Sequence, residues 1–239
     1  MNREPGAFSL RRGRRIGNHY TVVNKLGAGW EGEVYRVVED HTDVERAAKL
    51  FYPKRNPRSK AALHYARKLD RLRHCAVMIQ YHFWEQITIR DWTVDAVISE
   101  MVEGVRLSQF LKLQPGSRMR PFEALHLMHS LARAMESVHA FGEYHGDLHS
   151  DNVLISREGL GFKIRTIDVL DLGRPSRKKI QQDVIDMVHL LHEVLGGRRF
   201  YSDHPPAIKK IIKGLKATLI RQQFRTAGDF RIALEHLSW

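Results

Sequence analysis

The stretch Leu26 to Tyr35 restricts the architecture of this chain more than any other, because Gly27, Gly29 and Gly32 fall at G-x-G-x-x-G spacing between two segments that both read as strands. Tyr20 to Val23 before them and Glu33 to Val38 after them are rich in β-branched and aromatic residues, the composition of a half-buried extended strand. The glycines therefore sit in a hairpin. In a dinucleotide-binding βαβ unit the same glycines open a helix, and no helical period follows Gly32, so a doubly wound parallel sheet is disfavoured. Glycine permits positive φ and lets backbone N–H groups approach phosphate oxygens that a Cβ would hold away. The hairpin is a candidate cover for a polyphosphate.

Two further features carry chemistry. Arg46 to Phe51 reads as a short strand with one lysine, Lys49, in an apolar run; its ammonium either points to solvent or is aimed at anionic oxygens. Tyr144 to Ile155 contains His-Gly-Asp-Leu-His-Ser-Asp-Asn ahead of a short apolar strand, which puts Asp147 and Asn152 five residues apart. A carboxylate and an amide so spaced suit phosphoryl transfer: one takes the proton of an attacking hydroxyl, the other helps hold a metal on the phosphates.

Glycine hairpin, strand lysine and Asp/Asn loop, in that order, resemble the protein-kinase-like superfamily. The likeness runs from about residue 18 to 237. Val97 to Gly104 resembles the strand and hinge, Pro121 to Phe141 the helix leading into the catalytic loop, Gln182 to Gly197 the central helix, and Ile211 to Leu237 the last helices. The resemblance implies an α+β, two-lobed kinase-like fold: a basic arm over 1–17, a small antiparallel-sheet lobe over 18–103 and a mainly helical large lobe over 104–239. It implies ATP and magnesium as cofactors. Gly27, Gly29 and Gly32 would cover the phosphates and Lys49 hold them. Val34, Ala47 and Val102 would enclose the adenine, read by the carbonyl of Glu100 and the N–H of Val102, with Ser99 at the back. Asp147 would deprotonate the acceptor, and Asp183 would brace the catalytic-loop backbone.

The magnesium ligand beside Asn152 has two candidates in Ile167 to Gly173. Asp-Leu-Gly makes Asp171 the match by motif, while folding 153–156 against 162–167 about Gly159 to Gly161 sets Asp168 opposite Asn152. The register argument favours Asp168, and Asp171 stays open.

Departures from the family pattern matter equally. No glutamate lies between Glu45 and Glu85, so the small-lobe helix cannot supply the usual partner of the strand lysine. Tyr65 falls at that place, and Glu31 in the glycine loop is the substitute partner by proximity. Between Gly173 and Asp183 there is no room for a full activation segment, and Arg225 sits where it would pair with the missing glutamate. Gly146 and His149 around Asp147 resemble aminoglycoside and choline phosphotransferases. Three readings follow: an atypical protein kinase, a pseudokinase scaffold, and a small-molecule kinase.

The chain has 239 residues, 43% of them hydrophobic, with no long apolar run and no apolar leader in Met1 to Gly17. One cysteine, Cys75, excludes an internal disulfide, and a reducing cytoplasm is the expected compartment. The fourteen histidines are not spaced as metal ligands. Net charge is +12, with basic clusters at 11–15 and 174–179. The first is expected as a disordered arm open to an anionic partner; the second points to an acidic acceptor or a folded partner protein.

Overall fold

A computed structural model describes residues 7–159, 161–169 and 173–238, which divide into two compact units. One runs to Arg73 and also takes Ile79–Val102; the other holds His74–Met78 and the chain from Glu103 on.

The first unit is an antiparallel sheet of β1 (Arg15–Ile16), β2 (Tyr20–Ala28), β3 (Gly32–Glu39), β4 (Glu45–Phe51), β5 (Tyr81–Ile89) and β6 (Trp92–Glu100), in the order β1-β2-β3-β4-β6-β5, with one helix, α1 (Lys60–Arg71). Strand alternation sorts its side chains. Tyr35 and Val37 of β3, Ala48 and Leu50 of β4, and Ala96 and Ile98 of β6 belong to one buried core. Truncating a core residue such as Leu50 to alanine costs about 2–5 kcal/mol, since the cavity collapses only in part. Cross-strand partners share a face. Val34 pairs with Lys49 and Lys49 with Val97, so these three lie on the face opposite that core.

The expected disordered arm is corrected for residues 7–17. Phe8 is 2% exposed and Ile16 1%. The Phe8 N–H donates to Glu33 at 3.0 Å, and the Leu10 N–H to the Tyr35 hydroxyl at 3.2 Å. Glu33 is fully buried and also accepts from Lys25 at 2.9 Å, Tyr52 at 3.1 Å and Tyr35. Burial raises its carboxyl pKa, but these donors outweigh burial and hold it below the usual value. Apolar side chains spaced among the arginines anchor the segment, a signal that charge counting hides.

Helix α1 begins after Ser59, which is left-handed and forms no side-chain cap. Asn56 does the capping from a distance: its Oδ1 accepts from the N–H groups of Ala61 and Ala62 at 2.9 and 3.1 Å, while its Nδ2 donates to Asp95 at 2.5 Å.

The second unit opens with β7 (Val105–Arg106) and α2 (Leu107–Lys112), followed by α3 (Pro121–Ala140), the hairpin β8 (Val153–Glu158) and β9 (Gly161–Thr166), and α4 (Arg177–Val194), α5 (Pro206–Ile212), α6 (Ala217–Gln223) and α7 (Ala227–Glu235). Residues 74–78 join the hairpin's edge, where the Thr166 N–H donates to the Val77 carbonyl at 2.7 Å. The apolar stripe of α3, including Leu131, Met135 and Val138, is buried, as is that of α4. Ser176 caps α4, and Thr226 with Asp229 forms a capping box on α7. Among the described residues no helix is long and apolar enough to cross a membrane. Cys75 is a buried free thiol.

Candidate active site

The predicted site residues fall into two sets, one in each unit. In the first unit, Lys49 Nζ donates to Glu31 Oε2 at 2.9 Å and lies 4.7 Å from the ring centroid of Tyr65 and 5.4 Å from that of Phe51. Side chain and ammonium are largely buried, at 9% exposure. Tyr65 thus faces the lysine with an aromatic ring, and Glu31 of the glycine loop supplies a countercharge. Val34 is opposite Lys49 in the β3–β4 register, and Ala47 is opposite Ser99 across β4 and β6, so all belong to the same sheet face.

The glycine hairpin holds by its own backbone, with the Gly29 N–H donating to the Gly32 carbonyl at 2.9 Å. Positive φ is not what its glycines provide: none of Gly27, Gly29 and Gly32 takes one. Gly32 is required because a Cβ there would lie 1.9 Å from the Leu50 carbonyl oxygen of the adjacent strand. Trp30 at the tip is 68% exposed, with the Arg55 guanidinium stacked 4.0 Å from its ring. Glu100 closes β6 with its side chain bound to the Gln80 N–H at 2.7 Å. Val102 follows in no regular element, and buried Ser99 reaches the Ala47 carbonyl at 3.5 Å.

In the second unit, Asp147 and Asn152 meet. Asn152 Nδ2 donates to the Asp147 carboxylate at 3.0 Å and to its carbonyl at 2.9 Å. Asn152 is buried, whereas the Asp147 side chain is 62% exposed. His149 Nε2 lies 3.4 Å from the same carboxylate. Asp183, fully buried, accepts the N–H groups of His145 and Gly146 at 2.7 and 2.9 Å and faces His139 Nε2 at 3.0 Å. Gly146 has φ +90°, which L side chains rarely adopt, so the residue before Asp147 is glycine for conformational reasons.

The expected register is off by one. β8 and β9 pair Val153 with Thr166 and Glu158 with Gly161, so Gly161 belongs to the strand rather than the turn. Asn152 consequently faces Ile167, whose N–H donates to the Asn152 carbonyl at 3.0 Å. Asp168 follows at φ +58°, an uncommon conformation outside glycine and one that concentrates at functional sites. Asp171 lies outside the described residues.

Sequence reasoning missed three supports of the loop. Ser150 donates to Glu193 at 2.5 Å, Ser108 donates to Asp151, and the Ser108 N–H donates to the Ser150 carbonyl at 3.1 Å. It also missed Asp186, half-buried one turn beyond Asp183. Burial, with the negative charge of Asp183 and Asp147, pushes its carboxyl up to about 6, against the hydrogen bond from Gln182. The readable sign was the spacing of Asp183, Asp186 and Glu193, which puts three acids on one face of α4. Of the basic cluster, Lys179 turns inward to the Tyr144 hydroxyl at 2.8 Å, which itself donates to the Gly173 carbonyl at 2.7 Å. Arg174, Arg177 and Lys178 are exposed.

Comparison with known proteins gives a consistent picture. Residues 20–202 match the protein kinase domain family. Serine/threonine-protein kinase pkn2 of Myxococcus xanthus is 28% identical over 190 residues, covering 78% of this chain and 21% of that protein. Serine/threonine-protein kinase PLK4 of Xenopus tropicalis is 26% identical over 170 residues, covering 69% of this chain and 16% of its own length. The chain thus spans about a fifth or less of these relatives. The kinase domain of Mycobacterium tuberculosis PknI superposes with a TM-score of 0.61 at 19% identity, covering 96% of this chain and 98% of that one.

Proposed function

The chain belongs to the protein kinase domain family, and on that premise we propose that it moves the γ-phosphoryl group of ATP, with magnesium, to a hydroxyl acceptor as an atypical protein kinase. The observation that carries this reading is the Asn152–Asp147 pairing on a loop whose backbone is held by Asp183. Asp147 is exposed on a rigid support, as a group that meets an exchangeable acceptor must be.

The residues fit the cofactors. A Cβ on Gly29 would meet nothing within 4 Å, so the protein's own packing does not demand glycine there; access of a ligand to the backbone does supply a reason. Asn152 commits its Nδ2 to Asp147, which leaves Oδ1 as the atom for a cation, with Asp168 the second protein ligand and Asp171 the alternative. Among the described residues no three His, Cys, Asp or Glu side chains gather as a metal site. Magnesium held by one or two side chains plus phosphate oxygens needs no such group. When bound, the ion supplies charge neutralisation on the phosphates.

In this reading Lys49 draws the phosphates by charge, its position fixed by Glu31 and the Tyr65 ring. Val34, Ala47 and Val102 exclude water from the base, and the backbone of Glu100 and Val102 reads its edge. Asp147 orients the acceptor hydroxyl and takes its proton, while Asp183 keeps that carboxylate from drifting. Exposed Arg174, Arg177 and Lys178 favour an acidic acceptor or a folded partner with an acidic face. A cytoplasmic setting accords with the unpaired Cys75. The test is transfer of labelled phosphate from ATP to candidate acceptors, including the chain itself, with and without magnesium.

A pseudokinase reading draws on one observation, the aromatic ring of Tyr65 in place of a carboxylate. It requires that Lys49, Asp147 and Asn152 be dispensable. Binding of ATP without turnover would select it. A small-molecule kinase shares the nucleotide chemistry and differs only in which acceptor is phosphorylated.

A further inference from the structure

Glu33 is a fully buried carboxylate to which the proposed mechanism gives no part. It stands one residue beyond Gly32, and alternation along β3 turns it away from Val34 and Lys49 to the other face of the sheet, with Tyr35. Burying a charge is costly unless donors surround it. Four do: Lys25 Nζ on β2 at 2.9 Å, the Tyr35 hydroxyl on β3, the Tyr52 hydroxyl just after β4 at 3.1 Å, and the Phe8 N–H at 3.0 Å. One side chain thus joins both strands of the glycine hairpin to the end of β4 and to the segment at Phe8.

Two further observations tie this cluster to the glycines. The β2–β3 ladder is irregular there: Lys25 pairs with Tyr35 and Gly27 with Val34, so Leu26 is an extra residue bulged from β2. Backbone pairing alone therefore leaves the angle between the tip, Gly27 to Gly32, and the stem below it open to bending. The Lys25–Glu33 ion pair spans the bulge and fixes that angle. Tyr52 then connects the two faces of the sheet. Its hydroxyl donates to Glu33 and its N–H to the Glu31 carbonyl at 2.8 Å, while the Glu31 carboxylate holds Lys49 at 2.9 Å. The Phe8 ring packs on that of Tyr52, with centroids 5.1 Å apart. A displacement of Glu33 reaches both the glycines and the strand lysine.

We propose that Glu33 is a positioning residue for the nucleotide, an assignment that rests on the reading of the glycine hairpin as a phosphate cover: with Lys25, Tyr52 and Phe8 it holds the hairpin and Lys49 in the posture that receives the phosphates. It touches no ligand itself. Its effect falls on the phosphate-bearing part of the nucleotide and spares the adenine, which Val34, Ala47 and Val102 enclose in that reading.

The test compares ATP with adenosine, each titrated calorimetrically with magnesium into the full chain and its variants. Glu33→Gln and Lys25→Met should each weaken ATP about tenfold, the loss of one charge-assisted contact, and leave adenosine within about twofold of the parent. Lys25→Arg, which keeps the ion pair, should bind ATP as the parent does. Phe8→Ala, which takes the ring off Tyr52, should weaken ATP in the same selective way. Lys25 is partly exposed, so its variant serves if Glu33→Gln unfolds. Equal losses for ATP and adenosine would mean a merely structural role and overturn the proposal, as would folded variants that bind ATP as the parent does while the parent binds both ligands. A parent that binds neither ATP nor adenosine overturns the reading of the hairpin as well.

Discussion

The ammonium of Lys49 sits 4.7 Å from the ring centroid of Tyr65, a contact between a cation and an aromatic face. The same ammonium finds its carboxylate in Glu31 of the glycine hairpin. The lysine is therefore positioned by a loop and a ring, and the loop is the part that touches nucleotide in the proposed mechanism.

A largely desolvated cation–π contact contributes about 1–2 kcal/mol. Tyr65→Leu should therefore weaken ATP binding by about 5- to 30-fold, whereas Tyr65→Phe, which keeps the ring, should stay near the parent. Equal losses in the two variants would show that the hydroxyl, not the ring, positions Lys49. Fluorescent-nucleotide titration reads the difference.

The acids should separate by role. Asp147→Asn removes the group proposed to act on the acceptor, so turnover should fall by about 10²- to 10⁴-fold with ATP affinity nearly unchanged. Asp168→Asn should weaken magnesium-dependent ATP binding as well, and Asp171→Asn should do less. Loss of magnesium dependence in Asp171→Asn alone would transfer the metal role to Asp171.

Asp186 predicts a pH dependence. Its folded-state pKa of about 6 is above the ordinary 3.8, so between those values the folded chain holds a proton that the unfolded chain has released, and stability falls as pH rises through that window. Asp186→Asn lacks this loss. In urea unfolding the variant's stability relative to the parent should rise from pH 4 to pH 7 by about 1 kcal/mol, a figure reduced from the full shift because the side chain is partly in water. A difference that stays flat with pH would remove the effect of burial, and of the neighbouring negative charge, assigned to this site.

Reversing Arg177 and Lys178 to glutamate should raise the apparent KM for an acidic acceptor while leaving that for ATP nearly constant. The parent's KM should itself rise with salt, as the Debye length shrinks to about 8 Å at 0.15 M. Efficient, salt-insensitive phosphorylation of a basic peptide would contradict the acidic-acceptor reading.

Much of this was legible in the sequence because it depends on local pattern. Strand composition around Gly27 to Gly32 gave the hairpin, and helical spacing from Leu125 to Val138 gave α3. The bracing of the catalytic loop by Asp183 and the Glu31–Lys49 pair followed from motif order. What was lost depends on details that pattern does not carry. Whether Gly161 belongs to a turn or a strand shifts every residue after it by one, and that moved Asp168. Phe8 and Leu10 disappeared among arginines because their burial depends on Glu33 and Tyr35, some 25 residues away. The Ser150–Glu193 and Ser108–Asp151 contacts join residues 43 apart, beyond the reach of any local rule.

The central claim is tested most directly by single-turnover transfer of labelled γ-phosphate from ATP by the purified chain, run beside Asp147→Asn and with magnesium chelated. The account predicts phosphoryl transfer to itself or an acidic acceptor in the parent, none without magnesium, and at least a hundredfold less in Asp147→Asn at undiminished ATP binding. ATP binding in the parent with no transfer to any acceptor, or transfer that Asp147→Asn leaves intact, would contradict it.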